Sequence, residues 1–126
     1  MTDIDYIMEL LDWNRTEEEQ AKGRELARDV KSINVFLQPN GKNLWDNCAL
    51  ILAERSDEEL EPYLLNLMAW LEDMNWPGAF CILDRLNRYA DTSMFNWALK
   101  TSLELAKATH AKIWRKNLKE IKRRAE

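Results

Sequence analysis

A chain of 126 residues, 46% apolar and 32% charged, is long enough to bury roughly two-thirds of its unfolded surface in one core, so a single domain needing no metal or disulfide staple is expected. No run approaches eighteen consecutive apolar residues, which excludes a membrane-spanning helix. The start, Met1-Thr2-Asp3-Ile4-Asp5, is acidic where a secretory signal is basic and then apolar, so the expected location is the cytoplasm.

Charge is unevenly placed. Residues 106–126 hold eight basic residues against Glu120 and Glu126, a net +6, so the first 105 residues carry −10 of the whole chain's −4. An acidic body suits a basic partner, and a basic tail suits an acidic partner or nucleic acid. The tail's charge also complements the macrodipole of a C-terminal helix, which by itself would account for it.

In chain order, Ile4, Ile7, Met8 and Leu11 have helical spacing behind a Thr2 or Asp3 cap. Thr16 and Glu19 form a capping box, predicting a second helix over 17–31 with a thin apolar side of Ala21, Leu26, Ala27 and Val30. Ile33, Val35, Phe36 and Leu37 then make a short apolar run that stops at the turn signal Pro39-Asn40-Gly41. With no second strand to pair with, that run is expected as a buried connection. A third helix over 43–55 buries Leu44, Trp45, Cys48 and Leu52, and a second capping box, Ser56 with Glu59, starts a new helix at once.

The central stretch, 59–89, predicts two helices around a corner. Leu60, Tyr63, Leu64, Leu67, Leu71 and Met74 share one helical face, and Ala79, Ile82, Leu83, Leu86 and Tyr89 share another. Pro77 disfavours the helical conformation in the residue before it and suits a first helical turn, so a corner of about two residues is expected there. Asp91, Thr92 or Ser93 caps a helix over 94–108 that is apolar on more than one side. A last helix over 111–124, separate from its predecessor or continuous with it, should turn Ile113, Trp114, Leu118 and Ile121 inward and its cations outward.

The predicted class is therefore all-α. About six to seven helices stack as antiparallel hairpins in a single domain, with N-terminal helices in residues 1–40 and a HEAT-like core, a short α-solenoid, in 41–126. No sequence period of repeat length accompanies that pattern.

Catalytic constellations are scarce. The single histidine, His110, lacks the Glu three residues earlier that di-metal helical bundles use, since Lys107 stands there. The three glycines are far apart, so no phosphate loop forms. Cys48 and Cys81 lie among apolar residues without metal-ligand spacing and read as reduced core thiols. No enzyme activity, cofactor or metal is expected. Trp70 and Trp76 flank the corner beside acidic residues, so either could be a core side chain or a binding anchor.

The segments Leu44-Trp45-Asp46-Asn47-Cys48-Ala49-Leu50-Ile51-Leu52, Ser56-Asp57-Glu58-Glu59-Leu60-Glu61-Pro62-Tyr63-Leu64 and Trp70-Leu71-Glu72-Asp73-Met74-Asn75-Trp76-Pro77-Gly78-Ala79, with Phe36-Leu37-Gln38-Pro39 upstream, resemble a family of small bacterial HEAT-like proteins. The resemblance spans most of residues 16–121, and the Asn75-Trp76-Pro77-Gly78 corner is its most specific part. It implies an immunity protein of the kind encoded beside polymorphic or contact-dependent growth-inhibition toxins, binding and blocking a cognate toxin domain such as a nuclease. That family brings no catalytic residues to carry over. The acidic residues Asp57, Glu58, Glu61, Glu72 and Asp73, with Trp70 as anchor, are the contacts expected with a basic toxin; Asn75, Trp76, Pro77 and Gly78 are expected to form the structural corner. The alternatives are a nucleic-acid-binding protein using the basic C-terminal helix, or an adaptor with no toxin partner.

Overall fold

A computed structural model describes residues 3–122, and within them the chain forms helices and turns with no strand. Eight α-helices follow one another: α1 Ile4–Leu10, α2 Glu17–Ala27, α3 Trp45–Ala53, α4 Asp57–Leu60, α5 Leu64–Ala69, α6 Ala79–Asn87, α7 Ser93–Ala108 and α8 Lys112–Leu118. A 3-10 turn, Glu61–Tyr63, joins α4 to α5, with Pro62 where its missing N–H does no harm.

Helix starts follow the capping residues. Asp3 accepts from the Tyr6 N–H, Thr92 accepts from Phe95, and both capping boxes close, Thr16 with Glu19 and Ser56 with Glu59. Thr2, the other candidate for the first cap, lies outside the described residues.

Helix ends differ more. α2 stops at Ala27, not Lys31, and Val30 is a buried residue in the turn that follows. The apolar run after it is a 3-10 turn, Ile33–Phe36, that buries Ile33 and Phe36. A second 3-10 turn, Lys42–Leu44, precedes α3. His110 sits in the left-handed region, at φ 58°, so α7 and α8 are two helices. Trp114, Leu118 and Ile121 are buried as expected, whereas Ile113 is 71% exposed because α8 turns that side away from α7. The expected end of this last helix at Arg124 lies outside the described residues.

The corner is longer than two residues. After α5 the chain tightens into a 3-10 turn, Trp70–Glu72, and Asp73 is extended, so the helix ends well before Pro77. Asp73 then accepts from the Asn75 N–H at 2.8 Å, and its carbonyl accepts from Trp76 at 3.0 Å. Gly78, at φ 84°, precedes α6, so Pro77 lies outside that helix and not in its first turn.

α1 packs on α2 and α2 on α3; α6 lies against α3, α7 against α5, and α8 against both α7 and the Trp70–Glu72 turn. Neighbouring side chains satisfy the carbonyls at many of the helix ends. Asn47, buried on α3, donates to Leu11 O at 2.7 Å at the end of α1. Arg55 donates to Ala27 O and Val30 O, each at 2.8 Å, at the end of α2. Arg85 of α6 donates to Arg55 O at 2.9 Å beyond α3. Trp114 and Asn117 of α8 donate to Met68 O at 2.9 Å and Leu71 O at 2.7 Å where α5 ends.

Three tryptophans nest under the corner. Trp70 is fully buried and donates to Pro77 O at 3.0 Å, while Trp45 meets Trp70 and the partly buried Trp76 edge to face at 5.9 and 5.7 Å. Gly78 closes the nest, since a Cβ there would stand 2.7 Å from Ala49 Cβ and 2.9 Å from Trp45 O. Gly78→Ala therefore combines left-handed strain with a steric clash and should lower stability by about 2–4 kcal/mol, read as an earlier urea midpoint at unchanged slope. A midpoint equal to the parent's would show that the corner is free to shift.

Candidate interaction surfaces

The acidic residues expected at a partner surface divide into two groups. Asp57, Glu58 and Glu61 lie at the start of the bent α4–α5 rod. Glu72 and Asp73 lie past its far end, in and after the Trp70–Glu72 turn. They do not form one patch.

Within the first group, Asp57 is tied into the fold. Its carboxylate accepts from Arg85 at 2.5 Å and from the Ala90 N–H at 3.0 Å, and its carbonyl accepts from the Tyr89 hydroxyl at 2.9 Å. The Arg85 guanidinium also lies 5.7 Å from the Tyr89 ring centre. Burial, followed by the charges of Asp57 and Glu61, pushes the Tyr89 phenol above its ordinary value, against the opposing pull of Arg85. Glu58 and Glu61 are exposed and have no ion pair among the described residues. Glu59, between them in sequence, is instead held by Arg55 at 2.9 Å, and that contact, with the Ser56 cap, keeps its carboxyl below the ordinary range.

Trp70 cannot be the anchor the sequence suggested, because it is 0% exposed under the corner. Its indole packs inward because its N–H finds a carbonyl, Pro77 O, inside the fold. Glu72 is exposed beside α7 and α8, and Asp73, partly buried, spends one carboxylate oxygen on Asn75. Asn75 is exposed on the corner that Trp76, Pro77 and Gly78 build.

A groove of about 1020 Å³ runs between α2, α3 and α6. Its cations are neutralised internally: Arg24 by Glu17 at 3.5 Å, Arg28 by Glu54 at 3.4 Å, Arg55 by Glu59, Arg88 by Asp84 at 3.1 Å. Cys81 opens into it as a free thiol, raised above its ordinary value first by burial and then by Asp84. Burial pushes Cys48 up to about 12. Both are therefore protonated at neutral pH and poor nucleophiles. Among the described residues no group of His, Cys, Asp and Glu could hold a metal ion, and no helix is long and apolar enough to cross a membrane.

Residues 37–121 match the family described as a domain of unknown function (DUF5071). The chain belongs to that family. The matched stretch runs from the turn before α3 through the end of α8, so α1 and α2 lie ahead of it. No curated protein and no solved structure matches the chain.

Sequence reasoning missed Arg85 as the partner of Asp57. The signal was present, since Arg85 sits among Ile82, Leu86 and Tyr89 on the apolar stripe of α6, where an arginine needs a buried acceptor. Asp57→Ala should cost about 2–3 kcal/mol in urea unfolding, below the range for a fully buried pair because Asp57 is one-third exposed. Glu58→Ala should stay within about 0.5 kcal/mol of the parent. Equal losses at both positions would contradict the division between a structural and a free carboxylate.

Proposed function

We propose that this chain is a protein-binding module of the cytoplasm, an immunity protein that binds and neutralises a cognate bacterial toxin domain, and that it catalyses no reaction itself. The observation that carries the reading is the pair Glu58 and Glu61, exposed and without an ion pair among the described residues, on a base fixed by the Asp57–Arg85 pair at 2.5 Å. Carboxylates presented in this way are free to pair with cations on backbone that is already fixed, so a basic toxin surface would order side chains alone on this side. Their field would speed encounter with such a surface, and a docked acidic face would cover the residues a nuclease needs for phosphate.

The helix arrangement supports a HEAT-like reading of the scaffold. Counting α4 and α5 as one bent rod, α6 lies on α3 and α7 on α5, each skipping one helix, as alternate layers of a short solenoid do. The resemblance carried by the Trp76-Pro77-Gly78 corner supports the immunity role, and the −10 charge of the first 105 residues supports a basic partner.

The test is affinity capture from the native cell at moderate salt with this chain as bait, followed by expression of the recovered partner alone and together with the chain. One stoichiometric partner should stop growth by itself, be relieved by the parent chain, and escape relief by the Glu58→Lys, Glu61→Lys double variant. A harmless partner, or full relief by the double variant, would overturn the reading.

A further inference from the structure

The contact between α7 and α8 leaves a second groove, of about 540 Å³, that shares no residue with the Glu58 and Glu61 surface. Its floor is aliphatic: Leu99 and Leu103, one turn apart on α7 and each partly buried. Its rim is net cationic: Lys100 and Lys107 from α7, Arg115 from α8 and Lys119 just after it, against one carboxylate, Glu104, with Asn96 at one end.

None of these four cationic side chains has a hydrogen bond or ion pair among the described residues. For Arg115 that departs from the other described arginines, each of which has a carboxylate partner, whereas Lys22, Lys31, Lys112 and Lys116 are, among the described residues, unpaired as the groove's lysines are. Arg15, Arg55 and Arg88 each face a carboxylate four residues away on the same helix, with Glu19, Glu59 and Asp84. Arg115 instead has Lys119 at that spacing, a like-charge pair, and the facing helix adds two more cations. Glu104, four residues after Lys100, offsets one of the four cations, and the remaining excess of positive charge around the apolar slot favours an entering anion.

We propose that this groove is a docking site for an acidic amphipathic helix of a partner protein, whose apolar side chains seat on Leu99 and Leu103 while its carboxylates pair with Lys100, Lys107, Arg115 and Lys119. Both halves of the lining are then used. A nucleic acid would use the cations and leave the leucine floor without a role, and no aromatic side chain lines the groove for a base to stack on. Lys100 and Lys107 are roughly 10 Å apart along α7, which about two turns of a docked helix would span. The chemistry is opposite to that of the Glu58 and Glu61 surface, so the two sites accept different partners or different parts of one partner.

The experiment is a selection from a display library of random peptides of roughly 14 residues, about four helical turns, against the full chain. Selected peptides and a single-stranded oligothymidylate are then titrated by fluorescence anisotropy. The proposal expects enrichment of sequences with Glu or Asp and Leu at helical spacing, and affinity that falls at least about tenfold in Lys107→Glu, Arg115→Glu and again in Leu103→Ser. The parent and both variants should keep the same helical circular dichroism spectrum. Failure to enrich acidic amphipathic sequences, binding indifferent to Leu103→Ser, tighter binding of the oligonucleotide, or self-association that the charge reversal abolishes would each overturn it. Loss of toxin relief in the Glu58, Glu61 variant leaves peptide binding here unchanged, so the two readings fail separately.

Discussion

Short helices produce many helix ends, and every C-terminal end leaves backbone carbonyls that must find donors. That requirement shapes this fold more than any other interaction. The usual device, a glycine in the left-handed region just past the helix, is scarce here, since the three glycines stand inside α2, before the Lys42–Leu44 turn and before α6. α7 meets the need locally: His110 takes the left-handed conformation, and the Ala111 N–H reaches back to Ala106 O at 2.8 Å. Elsewhere the donors come from neighbours. Asn47, Arg55, Arg85, Trp114 and Asn117 each bridge to the end of another helix, so the same bonds that terminate one element fasten it to the next. Buried carbonyls left without them would each cost about 1–3 kcal/mol.

Local rules written in consecutive residues were readable from the sequence. The capping boxes at Thr16 and Ser56 start helices where they should, and the stripe Ile82, Leu86, Tyr89 faces the core. Rules that depend on a distant donor were not. α2 ends four residues before the expected Lys31 because Arg55, 25 to 28 residues away, takes up its last carbonyls. α5 gives way before Pro77 because α8 supplies Trp114 and Asn117 to Met68 O and Leu71 O. Ile113 looked like a core residue by spacing, yet nothing covers its side of a helix as short as α8.

The same distinction applies to the candidate site. Asp57, Glu58, Glu61, Glu72 and Asp73 form one acidic group by composition, but whether a carboxylate is free depends on what faces it. Arg85 claims Asp57, Asn75 claims one oxygen of Asp73, and Glu58 and Glu61 are left to solvent. Trp70 shows the converse: the corner that brings it beside acidic residues in sequence folds it under Pro77 and Gly78. Functional surface is thus what remains after the helix ends and the corner have taken their partners. By that criterion the glutamates of the α4 turn and the cations between α7 and α8 are among the free charges.

Arg55 tests this account most directly, because its guanidinium serves the end of α2 through Ala27 O, Arg28 O and Val30 O and has little exposed surface of its own. The measurement is native-state hydrogen exchange with urea unfolding on Arg55→Leu. The account predicts a loss of about 2–3 kcal/mol, with amides of α1 and α2 losing protection before those of α6 and α7. Stability within about 0.5 kcal/mol of the parent, or protection lost uniformly along the chain, would contradict it.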